Sequence, residues 1–174
     1  MTTLVMAFLG VDRPGLLHAI AEVLSDHGGN WEDGRTAMMS GNFTGVVQMS
    51  VAPARAEALV EDLRALDGML DVIVRHAAGS SSAADDDVTF VTLDLVGSDH
   101  PGIVEDVTAV LARTGVNVDR LTTSTTDAPM SDGRVFRCQG LLRAPRHIDL
   151  DALGEELEDL ARDLVVDITL GVEG

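Results

Sequence analysis

The hydrophobic positions along the chain change period in a fixed order, and they do so twice. From Thr3 to Leu9 the residues are apolar and strand-like, as they are from Val88 to Val96, with β-branched and aromatic side chains in both runs. Leu16, Leu17, Ile20, Val23 and Leu24 then recur at helical spacing, echoed by Ile103, Val107, Val110 and Leu111. Two strands follow in each half. They are Trp31–Met39 and Phe43–Val51 around a short Ser40-Gly41 turn, and Val118–Thr126 and Arg134–Leu142 around a longer Asp127–Gly133 loop. A second helix carries Leu59, Val60, Leu63 and Leu66, matched by Leu153, Leu157, Leu160 and Leu164. The last strands run over Leu70–Val74 and Val165–Leu170. Right-handed crossovers turn this βαββαβ order into a four-stranded antiparallel sheet with both helices on one face. The pattern therefore predicts an α+β protein of two ferredoxin-like units. Each unit leaves one sheet face without helices, to be covered by its sister or by a second chain, and a homodimer is expected.

The two halves also repeat in sequence. Gly10-Val11-Asp12-Arg13-Pro14-Gly15 returns as Gly97-Ser98-Asp99-His100-Pro101-Gly102, an offset of 87 that also carries Gly28 onto Gly115 and Asn30 onto Asn117. Ala52-Pro53 matches Ala144-Pro145 at offset 92, and Glu61-Asp62-Leu63 matches Glu158-Asp159-Leu160 at offset 97. Two five-residue insertions in loops of the second copy account for the shifts. Between the copies, Ala77–Asp87 has no large apolar residue and reads as a solvated linker, its three aspartates lacking further ligands at metal spacing. The expected boundaries are residues 1–76 for the first unit, 77–87 for the linker and 88–174 for the second unit.

The most closely retained element is the first strand-to-helix turn, Gly-x-Asp-x-Pro-Gly. Gly10 and Gly97 are expected to end the strand with an unusual backbone angle. Pro14 and Pro101 suit a first helical turn, and Asp12 and Asp99 suit a helix cap. Gly15 and Gly102 expose amides at the helix start, where an anion such as a carboxylate can be received; a tight capped turn is the plainer alternative. Asn30 and Asn117 open the second strand, expected near the edge bearing that turn. Each can meet an ammonium or a carboxylate, or simply close the preceding helix. In this reading Gly102, Asp99 and Asn117 jointly receive a small charged ligand. Gly15, Asp12 and Asn30 do the same in the first copy, where Trp31 narrows the pocket.

Composition excludes several functions. Twelve basic residues, all arginine, stand against 29 acidic ones for a net charge of −17, so no basic footprint exists for phosphates or anionic lipid. The single cysteine, Cys138, can form no intrachain disulfide, and a reduced, cytoplasmic setting is expected; among Phe136 and Leu141 it reads as a packing residue. The longest apolar run is far too short to span a bilayer. The five histidines are dispersed without metal-ligand spacing, and no nucleophile–base pair, phosphate-binding loop or dinucleotide fingerprint is present. No catalytic residue, metal or cofactor is expected. The acidic last helix (Glu155, Glu156, Glu158, Asp159, Asp163) is a solvated face or a docking surface for a basic partner.

At the turn and the asparagines the repeated unit resembles the ACT domain, a small ligand-binding regulatory module, over nearly the whole chain. The tandem pair with no enzyme attached resembles the glycine cleavage system transcriptional repressor group. The resemblance implies amino-acid binding between ACT units, glycine or serine being the first expectations, with action through a protein partner in transcriptional control. A detached regulatory subunit of an amino-acid-metabolising enzyme is the alternative. By position it implies a binding set of Asp12, Arg13, Pro14, Gly15 and Leu16 with Asn30, and of Asp99, His100, Pro101, Gly102 and Ile103 with Asn117. Arg13 gives way to His100 and Trp31 to Val118, so the two sites differ. At a net charge of −17, the purified chain is expected to show no specific DNA affinity at physiological salt, as fluorescence anisotropy with duplex probes would report. A nanomolar complex with a steep salt slope would contradict this.

Overall fold

A computed structural model describes residues 1–66, 68–77, 87–128 and 133–172. The chain divides into two compact units, Met1–Ser80 and Ser81–Gly174. Residues 78–86 of the expected linker and 129–132 of the expected loop lie outside the described residues.

The first unit runs β1 (Thr2–Val11), α1 (Leu16–Asp26), β2 (Asn30–Met39), β3 (Asn42–Val51), a 3-10 turn over Pro53–Arg55, α2 (Ala56–Arg64) and β4 (Asp71–His76). The second runs β5 (Val88–Ser98), α3 (Ile103–Arg113), β6 (Asn117–Asp127), β7 (Arg134–Pro145), α4 (Leu150–Leu164) and β8 (Val166–Val172). The strand orders are β2-β3-β1-β4 and β6-β7-β5-β8, with every pairing antiparallel. These are the two ferredoxin-like units expected from the periodicity.

Alternation along the strands decides which face is buried. Leu4, Met6 and Phe8 of β1 and Val47, Met49 and Val51 of β3 point to the helices, where Leu16, Ile20 and Leu24 of α1 and Leu59 and Leu63 of α2 meet them. In the second unit Val91, Leu93 and Leu95 pack with Val107, Leu111, Leu153 and Leu157, and Cys138 sits among them. Burial raises the Cys138 thiol above its ordinary pKa, with Asp94 adding to the effect. Ser40 and Gly41 both take positive φ, 49° and 78°, the two-residue hairpin geometry whose twist matches the flanking strands.

Three local expectations are corrected. β7 extends to Pro145, and Ala144 faces Thr89 as Val51 faces Thr2. The structural offset there is 93, because Pro145 lies in an edge-compatible strand end while Pro53 lies in a turn. Val165 is not strand but the left-handed cap of α4, at φ 56°. Gly10 and Gly97 do not adopt positive φ. They stand in strands where the next strand comes too close for a side chain. A Cβ on Gly10 would lie 2.7 Å from the Met69 carbonyl oxygen, and one on Gly97 2.7 Å from the Val166 Cα.

The sheet faces without helices differ between units. In the first, β1 shows Val5, Ala7, Leu9 and Val11 on that face, flanked by Val46 of β3 and Ile73 of β4. Val46 is 51 % exposed and Ile73 61 %. In the second, the corresponding face carries Asp94, Arg137, Gln139, Asp167 and Thr169, with Gln139 donating to Asp94 at 2.8 Å.

Gly97→Ala and Gly10→Ala are each expected to destabilise the protein by about 1–3 kcal/mol, since backbone rather than flexible side chain must yield. Gly154→Ala in α4, with nothing within 4 Å, should instead stabilise by about 0.5–1 kcal/mol. Thermal unfolding followed by circular dichroism checks both signs.

Candidate functional site

The two turns are built the same way, and not as helix caps made by aspartate. The Asp12 amide donates to the Gly41 carbonyl at 2.9 Å, and the Asp99 amide donates to the Arg134 carbonyl at 2.8 Å. Each aspartate thus ties its turn to the neighbouring hairpin through the backbone. Neither helix receives a side-chain cap bond; the N-cap residues are Gly15 and Gly102, in the left-handed region at φ 95° and 100°. Pro14 and Pro101 precede these glycines and so lie ahead of the first helical turn. The first intrahelical bonds are Ala19 N–H to Gly15 and Asp106 N–H to Gly102, both 2.9 Å. The amides of residues 16–18 and 103–105 precede them, as donors at the positive end of a helix.

Around these amides the copies diverge. Asp12, Arg13, Pro14 and Gly15 are exposed, and the first turn of α1 holds no acid. The first turn of α3 holds Glu105 and Asp106, and the Asp106 carboxylate lies 3.6 Å from where a Gly102 Cβ would stand. Asp99 is paired with Arg134 at 3.8 Å, and His100 Nδ1 lies 3.1 Å from the Pro101 carbonyl, which can only accept. Leu16 and Ile103 are 2 % and 3 % exposed; their side chains belong to the cores, and only their amides face the turn.

The asparagines lie elsewhere. Asn30 is level with Ser50 and Thr3, whereas the turn leaves β1 beyond Val11. Asn117 is level with Arg143 and Phe90, whereas its turn follows Ser98. Eight strand residues, about 27 Å, separate the two positions. The turn and the asparagine of one unit are therefore at opposite ends of its sheet. The expected groupings of Asp99 and Gly102 with Asn117, and of Asp12 and Gly15 with Asn30, do not form within a unit. The reason is topological: α1 and α3 carry the chain from one end of the sheet to the other before the second strand begins.

Each asparagine instead belongs to a carboxylate cluster that the spacing argument missed. Asn30 Nδ2 donates to Glu32 Oε1 at 3.1 Å, and the Ser50 hydroxyl donates to the same oxygen. Asn117 Nδ2 lies 3.4 Å from Asp119 Oδ1, which Arg143 Nε approaches at 3.3 Å. Glu32 and Asp119 are the extra residues of two β-bulges, after Trp31 and after Val118. Ser50 and Arg143 hold the same register position opposite the asparagines. An acid two residues after a retained asparagine, in both copies, was the available signal. The Ser50 hydroxyl first, then the Asn30 amide, hold the Glu32 carboxyl below its ordinary pKa of 4.5. Trp31 packs against the core and over Gly34, rather than over the exposed amides.

Closing of the preceding helices falls to Gly28 and Gly115, at φ 65° and 73°, not to the asparagines. Among the described residues, no group of three or more His, Cys, Asp or Glu is placed to hold a metal ion, and no helix is long and apolar enough to cross a membrane.

Comparison with known proteins accords with this fold. The family model of the ACT domain matches residues 2–77, and a second ACT-domain model matches residues 91–140. The chain is 26 % identical over 162 residues to the glycine cleavage system transcriptional repressor of Escherichia coli, covering 92 % of this chain and 85 % of that protein. A crystal structure of a protein of unknown role from Galdieria sulphuraria is 28 % identical, with a TM-score of 0.87 over 99 % of both chains. A further solved structure, 23 % identical with a TM-score of 0.68 over 99 % of this chain and 97 % of that one, shares the fold.

Ser50→Ala removes the leading support of the ionised Glu32 and should raise its pKa toward 4.5. The sign follows from linkage. A carboxyl depressed in the folded state stabilises the fold above its unfolded pKa, and that contribution is lost as pH falls through the folded value. The parent should therefore keep its native Glu32 environment to lower pH than the variant. Carbon-detected NMR titration of the Glu32 carboxyl reads the shift, and an unchanged titration would refute the assigned cause.

Proposed function

The chain belongs to the ACT-domain family, and from that premise we propose that it is a non-catalytic regulator that senses a small amino acid, glycine or serine first, and acts through a protein partner in the control of amino-acid metabolism. The observation that carries the reading is the pair of half-sites retained in both copies. One is a run of free amides at a helix start, the other an asparagine beside a carboxylate. A free amino acid presents a carboxylate for the first and an ammonium for the second. Because the two lie at opposite ends of one sheet, a second copy of the chain supplies the complementary half. The similarity to a named transcriptional repressor supports a role in regulation. The charge of −17 supports action through a protein rather than by direct contact with DNA.

The first unit's turn is the better carboxylate receptor. It combines the α1 amides with Arg13 and no acid in the first helical turn, whereas Glu105 and Asp106 already complement the positive end of α3. The size of the proposed ligand fits an exposed turn, where glycine or serine leaves no large side chain to bury.

Titration calorimetry of the full chain with each of the twenty amino acids tests the reading. One small amino acid should bind. Asn30→Ala and Asn117→Ala should each weaken that binding by about 1–3 kcal/mol, the loss expected when a buried polar partner goes unpaired. Both asparagines are exposed in the free protein, so the fold should survive. If both variants bind like the parent, the half-sites are structural only. If none of the twenty binds, the sensing role is wrong.

A further inference from the structure

We propose that the helix-free face of the first unit is a homodimer interface, with a two-fold axis along the row Ile73, Ala7 and Val46 that sets Asp71 against the partner's Arg75. Ala7 is level with Ile73 on one side and with Val46 on the other, so the three form a continuous apolar row across β4, β1 and β3. On the edge strand β2 the row ends at Arg35, level with Val46, with Asp33 two residues along on the same face, so that the axis places Arg35 beside the partner's Asp33. Val5 and Leu9 lie one step to either side of it on β1. Across β4, Asp71 and Arg75 flank Ile73 at equal distances on the same face. Among the described residues neither has an ion-pair partner.

A two-fold axis along this row superposes each row residue on its own copy and exchanges the two sides. Ile73 meets the partner's Ile73, Val5 meets the partner's Leu9, and Asp71 meets the partner's Arg75, twice by symmetry. Stacked sheets pack about 10 Å apart with interdigitating side chains, a distance that such pairs span.

The occupant is a second copy because the face is complementary to itself and not to its counterpart in the second unit. Aligned by register, Asp71, Ile73 and Arg75 of β4 correspond to Asp167, Thr169 and Gly171 of β8. At these β8 positions the second unit thus has neither the apolar centre nor the base, and the middle of its face is the hydrogen-bonded pair Asp94 and Gln139. Isolated apolar side chains on a surface need no explanation, but a contiguous row bordered by balanced charges in a chain of net −17 does. The same axis lays the turn end of each β1 toward the Thr3 end of its partner, the end at which Asn30 stands. That last consequence rests on the amino-acid reading; the interface does not.

Sedimentation equilibrium of the full chain, without added ligand, tests the interface. The parent should be dimeric at micromolar concentration. Ile73→Asp, Asp71→Arg and Arg75→Asp should each raise the dissociation constant at least tenfold, with unchanged circular dichroism because all three residues are exposed. The double variant Asp71→Arg/Arg75→Asp should return to within about threefold of the parent. Asp71→Arg is the sharpest arm: it makes the chain less negative, so general repulsion alone would strengthen association. A monomeric parent would overturn the proposal, as would single variants that associate like the parent, or a double variant no better than the singles. Because no amino acid is present, a failure here is separate from a failure in calorimetry.

Discussion

An eleven-residue helix crosses the sheet between the first turn and the second strand of each unit, and most functional consequences follow from that span. At about 1.5 Å per residue the helix runs about 16 Å, which with its flanking loops carries the chain from one end of the sheet to the other. Two elements retained in both copies, close in sequence, are thereby held apart as rigidly as the core is packed. Leu16, Ile20 and Leu24 on α1 and Ile103, Val107 and Leu111 on α3 fix the helices against their sheets, all at 3 % exposure or less. No rotation of a loop can bring Asn30 to Gly15 while that packing persists. A ligand that needs both ends therefore needs more than one unit of the fold.

The sequence made the element order legible because each element carries its own period. β1 alternates buried and outward residues, α1 shows buried residues at i, i+4 and i+8, and the Ser40-Gly41 hairpin is announced by its glycine. Burial of Cys138 was legible from its apolar neighbours. What the pattern concealed were relations across strands. Gly10 looked like a residue chosen for its backbone angle, but its reason is the Met69 carbonyl, fifty-nine positions away in the chain. Asp12 looked like a cap, but its amide is taken by Gly41 and its carboxylate makes no bond to the helix. The roles of Glu32 and Asp119 are hidden because a β-bulge breaks the two-residue period, and its extra residue reads as noise.

The duplication has not kept its copies equivalent, and the differences are chemically directional. Where the first copy has Ser50 beside Glu32, the second has Arg143 beside Asp119. Where the first has no acid in the opening turn of its helix, the second has two. A hydroxyl leaves the carboxylate charge available to an approaching ammonium, while a guanidinium neutralises it. Acids at a helix start likewise occupy the positive end that an incoming carboxylate would use. On both counts the first unit is the more open to a zwitterion and the second the more self-satisfied.

The apolar row and the receptive turn belong to the same unit and share one strand. Val5, Ala7 and Leu9 of β1 face outward, Leu4, Met6 and Phe8 face the core, and the turn leaves the same strand after Val11. Gly10 presses that strand's end against the start of β4, whose next residues are Asp71, Val72 and Ile73. A displacement of the turn would therefore be felt at the Asp71 end of the row through the Met69 carbonyl and Leu70. Coupling requires only that the ligand favour one placement of the turn over another. The second unit has the same close approach, Gly97 against Val166, but it leads to Asp167 and Thr169 rather than to an apolar row. The outward faces thus differ in kind: the first unit's carries an apolar row beside an exposed turn, and the second unit's carries a hydrogen-bonded pair, Gln139 with Asp94.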